Sequence, residues 1–263
     1  MTSSDSVRTT IFAYCERGVD PGLSAEPLNA ASNLAFIVAG AALLHAMVTG
    51  PAQARRAVPL GLAGLVMLIG VGSFLFHTTA SRWAAIADVA PIGVFMIVYF
   101  AFALRVFARL PVLWVVLLTA GFMVALWAAP QVRCGPNVLM PVAGGGRACL
   151  NGSVGYMPAL IALLGIGGWL AVRRHPAGRV LIAAGAVFAV SLTFRTLDRT
   201  LCQQTVVGTH FLWHLLNALM LYFLTRAAHR HVYSTNHSSS GRVAKERAVE
   251  RTTRPATSSG DRP

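Results

Sequence analysis

Seven runs of predominantly apolar residues dominate this chain, at roughly 29–49, 58–78, 84–104, 111–129, 154–172, 179–197 and 206–226. A helix needs about 20 such residues to cross the hydrocarbon core of a bilayer, so each run is long enough to span it. Lipid offers the backbone no hydrogen-bond partner, which leaves helix as the form each run must take. A soluble core is excluded because 263 residues hold too few amphipathic elements to cover seven apolar helices. The composition agrees, with 55% apolar and 12% charged residues. The expected fold is therefore all-α, a polytopic membrane protein built as a seven-transmembrane-helix bundle. Residues 1–28 form an extracytoplasmic segment, 29–226 the bundle and 227–263 a basic tail. The start, MTSSDSVRTTIFAYCERG, lacks the pattern of a cleaved signal peptide, so the first helix is expected to be retained.

The arginines set an orientation. With seven spans, the first, third and fifth connections share a side with the C-terminus. They carry Arg55, Arg56, Arg105, Arg109, Arg173, Arg174 and Arg179 and no acid. The opposite side mixes its arginines with Asp5, Glu16, Asp20, Glu26 and Asp198. Positive-inside bias then puts the C-terminus in the cytoplasm and the N-terminus outside. Lys245 is the one lysine, and the arginine bias suggests a GC-rich bacterial genome, hence an inner-membrane location.

All four cysteines, Cys15, Cys134, Cys149 and Cys202, fall on the outer side. Cys134 and Cys149 bracket one polar loop, which suggests a local disulfide. Cys15 and Cys202 would then tie the N-terminal segment to the connection before the last helix. Four cysteines allow three connectivities, and free buried thiols are the alternative. An oxidising compartment suits disulfides on this face.

The net charge of +13 invites a nucleic-acid partner. Much of the excess lies in 227–263, a Ser/Thr/Arg-rich stretch without an apolar face, expected to be disordered beside anionic headgroups. No nucleic-acid partner is expected. His229, His231 and His237 in that stretch are expected to be solvated, and His45 and His175 to be interfacial.

Against this apolar background, four ionisable residues stand out: His77, Asp88, His210 and His214. A charged group at membrane depth costs at least ~2.5–3.5 kcal/mol on insertion scales, so it marks a functional site by default. His210 and His214 are spaced i, i+4 and share a helix face. The topology brings Ser73 and His77, Asp88, and His210 with His214 to one depth in the outer leaflet, on three helices. Singly, each has a plainer reading: Ser73 bonding back to a helix carbonyl, His77 closing a helix end. Together, three imidazoles with a vacant position are the ligand set of a catalytic zinc.

The residues also carry a resemblance. GVGSFLFHTTASRWAAIADVAP resembles the Ser-x-x-x-His, then Asp eleven residues later, of the alkaline ceramidases. GTHFLWHLLNALMLY resembles the paired histidines of their last helix. YCERGVDPGLSAEPLNAASN resembles their N-terminal Cys-Glu motif and the Glu-x-x-Asn-x-x-Ser-Asn that opens helix one, and DRTLC their penultimate-loop cysteine. The stretch 105–190 contributes mostly hydropathy. The wider grouping is the CREST superfamily of seven-helix membrane hydrolases.

The resemblance implies zinc held by His77, His210 and His214, with Ser73 and Asp88 at the other active-site positions. It implies hydrolysis of the N-acyl amide of ceramide or a ceramide-like membrane lipid to fatty acid and amine. It also implies a calcium site in the N-terminal segment, with Glu16 and Glu26 as carboxylates. The match there is imperfect: Ala13, Tyr14 and Gly18 stand where the family has Asp, Trp and Asn, and the stretch between the glutamates is one residue shorter. Tyr14 and Gly18 would supply carbonyls and Asp20 a replacement side chain; the alternative is two exposed acids in an interfacial loop. Three other functions stay open: a non-catalytic lipid receptor, a zinc hydrolase of another lipid amide or ester, and a Ser–His protease, which leaves Asp88, His210 and His214 idle. Oligomeric state has no sequence signal.

Overall fold

Each apolar run forms a helix, and the expected all-α membrane bundle is the architecture found. The computed structural model describes residues 10–51, 56–135 and 146–253, with side-chain surroundings through Val232. The arginine at 55, the interior of the Cys134–Cys149 loop and the last ten residues of the expected tail lie outside them. Among the described residues, seven helices are long and apolar enough to cross a membrane. They are α1 (Pro27–Thr49), α2 (Ala57–Thr79), α3 (Arg82–Phe107), α4 (Val112–Gln131), α5 (Cys149–Val172), α6 (Pro176–Thr200) and α7, whose spanning part is His210–Val232. The chain is thus an integral membrane protein.

Local chemistry explains the boundaries. Proline stands in the first turn of α1 and α6 and at the start of the α-helical part of α5, Met157–Val172, where its missing N–H costs nothing and its fixed φ fits the helix. His175 caps α6 by accepting from Ala177 N at 3.2 Å. Ala80 closes α2 in the left-handed conformation, φ 45°, and donates to the Phe76 carbonyl. This sharp reversal feeds directly into α3. The last turn of α3, Ala103–Phe107, widens to a π-helical turn.

Two expectations differ from what is observed. The fifth helix starts at Cys149 rather than near 154, through a tight 3-10 segment in which Leu150, Asn151 and Gly152 have positive φ. The seventh starts at His210 and continues as helix to Thr253, whereas a coil is expected from 227. Helix formers in AKERAVER favour that continuation.

The bundle packs in a chain of neighbours: α1 against α2 and α7, α2 against α3, and α6 against α5 and α7. Gly72 makes the α2–α3 contact possible, since a Cβ there would collide with the Ala87 carbonyl. That close approach brings Ser73, the next residue, beside Asp88 of α3. The buried core includes Phe36, Ile69, Phe95, Phe188 and Trp213. α4 lies outside this arrangement, with Phe122 its one buried residue. Val112, Trp114, Val124 and Trp127 on α4 are exposed, as expected of side chains facing lipid tails.

Both disulfides suggested by the sequence are present, Cys15–Cys202 and Cys134–Cys149. The second flanks a short antiparallel pair, β1 (Arg133–Cys134) with β2 (Arg147–Ala148). The first pins the N-terminal segment across the end of the bundle, against the α6–α7 connection.

Candidate functional site

Under this pinned segment, α2 and α7 bring three histidines together. His77 sits in the last turn of α2, and His210 opens α7 with His214 one turn on. All three are buried, and one ring nitrogen from each lies within 4.8 Å of the others. Three imidazole nitrogens at such separations can hold a metal ion.

Hydrogen bonds to the far side of two rings set which nitrogen faces inward. His77 Nδ1 is 2.5 Å from Glu26 Oε2. A carboxylate only accepts, so Nδ1 carries the proton and Nε2 keeps its lone pair. That Nε2 is buried without a partner, which is the condition of a ligand atom facing a cation. The Ser32 hydroxyl donates to the Asn29 carbonyl at 2.8 Å, so it accepts from His214 Nδ1 at 2.7 Å. His214 Nε2 is therefore also left free to ligate. The third ring, His210, stacks on Tyr14 with centroids 3.6 Å apart and planes 18° apart. Burial holds the Tyr14 phenol above its ordinary pKa, so it stays neutral beside the rings.

Glu26 is the hinge of this arrangement. It is 1% exposed, far from the open interfacial acid that the sequence allows as an alternative. Burial pushes its carboxyl up, but bonds with His77, Arg17 and Asn29 outweigh this and hold it below the ordinary glutamate value. A carboxylate behind a ligating histidine orients the ring and raises its basicity.

Asp198 positions α7. Its Oδ1 accepts from Thr209 N at 2.7 Å and His210 N at 3.0 Å, and its Oδ2 from Cys15 N at 3.0 Å. A buried negative charge thus caps the helix N-terminus where the macrodipole favours it. Gly208, at φ +64°, lets the chain pass, because a Cβ would run into the Asp198 carboxylate and Cys15 Cβ. Asp198→Ala is expected to strip these donors of their acceptor, at about 1–3 kcal/mol for each buried group. Thermal unfolding in detergent should show a lower melting temperature; an unchanged one would remove Asp198 from this role.

Ser73 and Asp88 adjoin the cluster. The Ser73 hydroxyl lies 3.4 Å from His214 Nε2 and beside the half-buried Asp88 carboxylate. A cation joins from α6: Arg195 lies near the Tyr14 hydroxyl and donates to the Asn151 carbonyl at 2.6 Å. Its guanidinium also lies over the rings of Tyr156 and Trp213. The left-handed run Leu150–Gly152 wraps this guanidinium, with Gly152 in contact with it.

Three of the five residues expected to hold calcium offer carboxylates, and Glu16, Asp20 and Glu26 have the following partners. Glu16 caps α1, accepting from Leu28 N and Asn29 N, both at 2.7 Å. Asp20 Oδ1 accepts from Gly22 N. Gly18 takes φ +54° in a turn closed onto the Cys15 carbonyl. Tyr14 is stacked on His210, and Glu26 is held between Arg17 and His77. Glu16, Asp20 and Glu26 form no second metal-sized group among the described residues. Arg17 pairs with Glu26 in the same segment.

Arg17, Ser32, Arg195 and Asp198 are thus the functional neighbours the sequence did not flag. Each lies in or beside a connection, where a polar side chain is ordinary. One signal was available: Ser32 falls in the Glu-x-x-Asn-x-x-Ser-Asn motif, at helical spacing from Asn29.

Residues 8–143 match the family model described as Ceramidase, a stretch that holds Ser73, His77, Asp88 and Glu26. The paired histidines of α7 lie beyond it and are joined to the matched part by the geometry above. No curated protein matches the chain.

Proposed function

The chain belongs to the ceramidase family, and from that premise we propose that it is a zinc-dependent intramembrane lipid amidase. Its substrate is ceramide or a ceramide-like N-acyl lipid, cleaved to a fatty acid and an amine such as a sphingoid base. The observation that carries this reading is the buried three-histidine cluster with Ser73 and Asp88 beside it.

Zinc, when bound, polarises a carbonyl and lowers the pKa of a coordinated water toward about 7. The chain's own groups supply the rest. His77 and His214 present Nε2 lone pairs because Glu26 and Ser32 occupy their Nδ1 protons. Ser73 donates a hydrogen bond to the oxygen that gains charge as the amide carbonyl is attacked. Asp88 takes a proton from the attacking water and returns one to the leaving amine.

An apolar cavity of about 80 Å³ lies beside the site, lined by Phe36, Ile69, Phe95, Met96, Phe188 and Trp213 among others. Ile69 lies one turn from Ser73, and the Phe36 ring is 6.3 Å from that of His214. The cavity's apolar lining suits a fatty acyl chain. The reading also places the N-terminal segment and the site outside the cytoplasm, following the arginines and the disulfides.

Incubating the full-length protein in detergent with a panel of N-acyl and O-acyl lipids tests the proposal. Fatty-acid release from ceramide-like amides, absent with His214→Ala, is the expected result. Release from esters alone would move the substrate class, and tight lipid binding without turnover by metal-loaded protein would favour a receptor.

A further inference from the structure

Arg17 is an arginine with almost no contact with solvent. It is 2% exposed and lies at the end of α2 rather than pointing into water. Every nitrogen of its guanidinium has an oxygen acceptor. Nε donates to Glu26 Oε1 at 2.5 Å, and Nη1 to the carbonyls of Asp20 at 3.3 Å and Gly22 at 2.9 Å. Nη2 donates to the carbonyls of His77 at 2.8 Å and Thr78 at 3.4 Å. A carboxylate and several carbonyls converging on one point are the donors that a hard cation selects. Here the cation is covalently part of the chain.

We infer that Arg17 is the resident cation of this oxygen cage, that it takes the place of a divalent ion there, and that through Glu26 it is a positioning residue for His77. The geometry couples the two roles. Glu26 shares its oxygens between Arg17 on one side and His77 Nδ1 on the other. Arg17 also holds the His77 carbonyl, so one guanidinium fixes both the backbone and the ring of a metal-facing residue. A divalent ion beside this guanidinium would meet like charge at close range in a poorly screened site, which opposes its entry. The planar fork of arginine suits such a cage better than the ammonium of lysine.

The test uses full-length protein in detergent, depleted of calcium and then titrated with calcium chloride. Calorimetry of the wild type is expected to show no stoichiometric binding, and its melting temperature no response to calcium. Arg17→Ala leaves Glu26 buried without its partner and is expected to lower the melting temperature by roughly 6–20 °C. It also leaves an empty oxygen cage, so calcium is expected to restore part of that loss, which a merely structural arginine would not produce. Arg17→Lys keeps the charge and is expected to melt between the two with no calcium response; it decides the question if the alanine variant does not fold. Stoichiometric calcium binding by the wild type, abolished by Glu26→Gln, would overturn the inference. So would an alanine variant that calcium does not rescue, or a lysine variant that calcium stabilises. None of these readouts involves lipid turnover, so their failure is distinct from failure of the amidase reading.

Discussion

Replacing His77, His210 or His214 with alanine is expected to empty the metal site and abolish turnover. Elemental analysis of the purified wild type should find about one zinc per chain, as a site with three protein ligands and one open position requires. Each alanine variant removes one of three nitrogens that lie within 4.8 Å of one another, and none of the neighbouring groups can replace it: Ser32 and Ser73 offer neutral hydroxyls, and Glu26 is held by Arg17. Glu26→Gln should give a graded result. It keeps the shape but weakens the acceptor behind His77 Nδ1, for which a loss of about 10–100-fold in metal affinity is expected. Full zinc occupancy in all three histidine variants would remove the metal from the mechanism.

The second large effect separates the roles of Ser73 and Asp88. Ser73→Ala should keep the metal and lose about 10²–10³ in rate, the usual cost of one oxyanion donor. Asp88→Asn should also keep the metal but lose more, about 10⁴-fold, because one carboxylate serves both the attacking water and the leaving amine. Neither variant, nor the wild type, should accumulate an acyl-enzyme with a slow substrate analogue. Intact-mass analysis reads this directly. A stoichiometric acyl adduct mapped to Ser73 would make that residue the nucleophile and leave the membrane-hydrolase assignment standing.

The helices were legible because lipid imposes one rule along their whole length, so apolar runs such as 58–78 and 84–104 match α2 and α3 closely. The histidines and Asp88 were legible for the same reason, as costly exceptions in apolar surroundings. Starts governed by tertiary contacts were not. α5 begins early because Arg195 of α6 and the left-handed run Leu150–Gly152 hold each other, and nothing local in CLNGSVGY announces that. Asp198 looks like any acid in a loop until the fold sets the backbone of Cys15 and His210 around it. The cysteines allowed three pairings, and the one suggested by the Cys134–Cys149 loop is the one the fold makes. The resemblance pointed to Glu16 and Glu26 as calcium carboxylates, and nothing in the sequence announced that Arg17 pairs with Glu26.

The order in which the pieces arrive has a consequence for biogenesis. Arg17, Glu26 and His77 leave the ribosome early, and their mutual contacts need only the N-terminal segment, α1 and α2. His210 and His214 come on the last membrane helix, and Asp198 on the one before. Because a chain is made and inserted from its N-terminus, the half-site around His77 must stand ready through most of synthesis, without its partner ligands. A metal held by the three histidines would therefore be the last component to join. A nascent chain stopped after α6 carries one prepared imidazole, so the three-histidine cluster is complete only once α7 has joined the bundle.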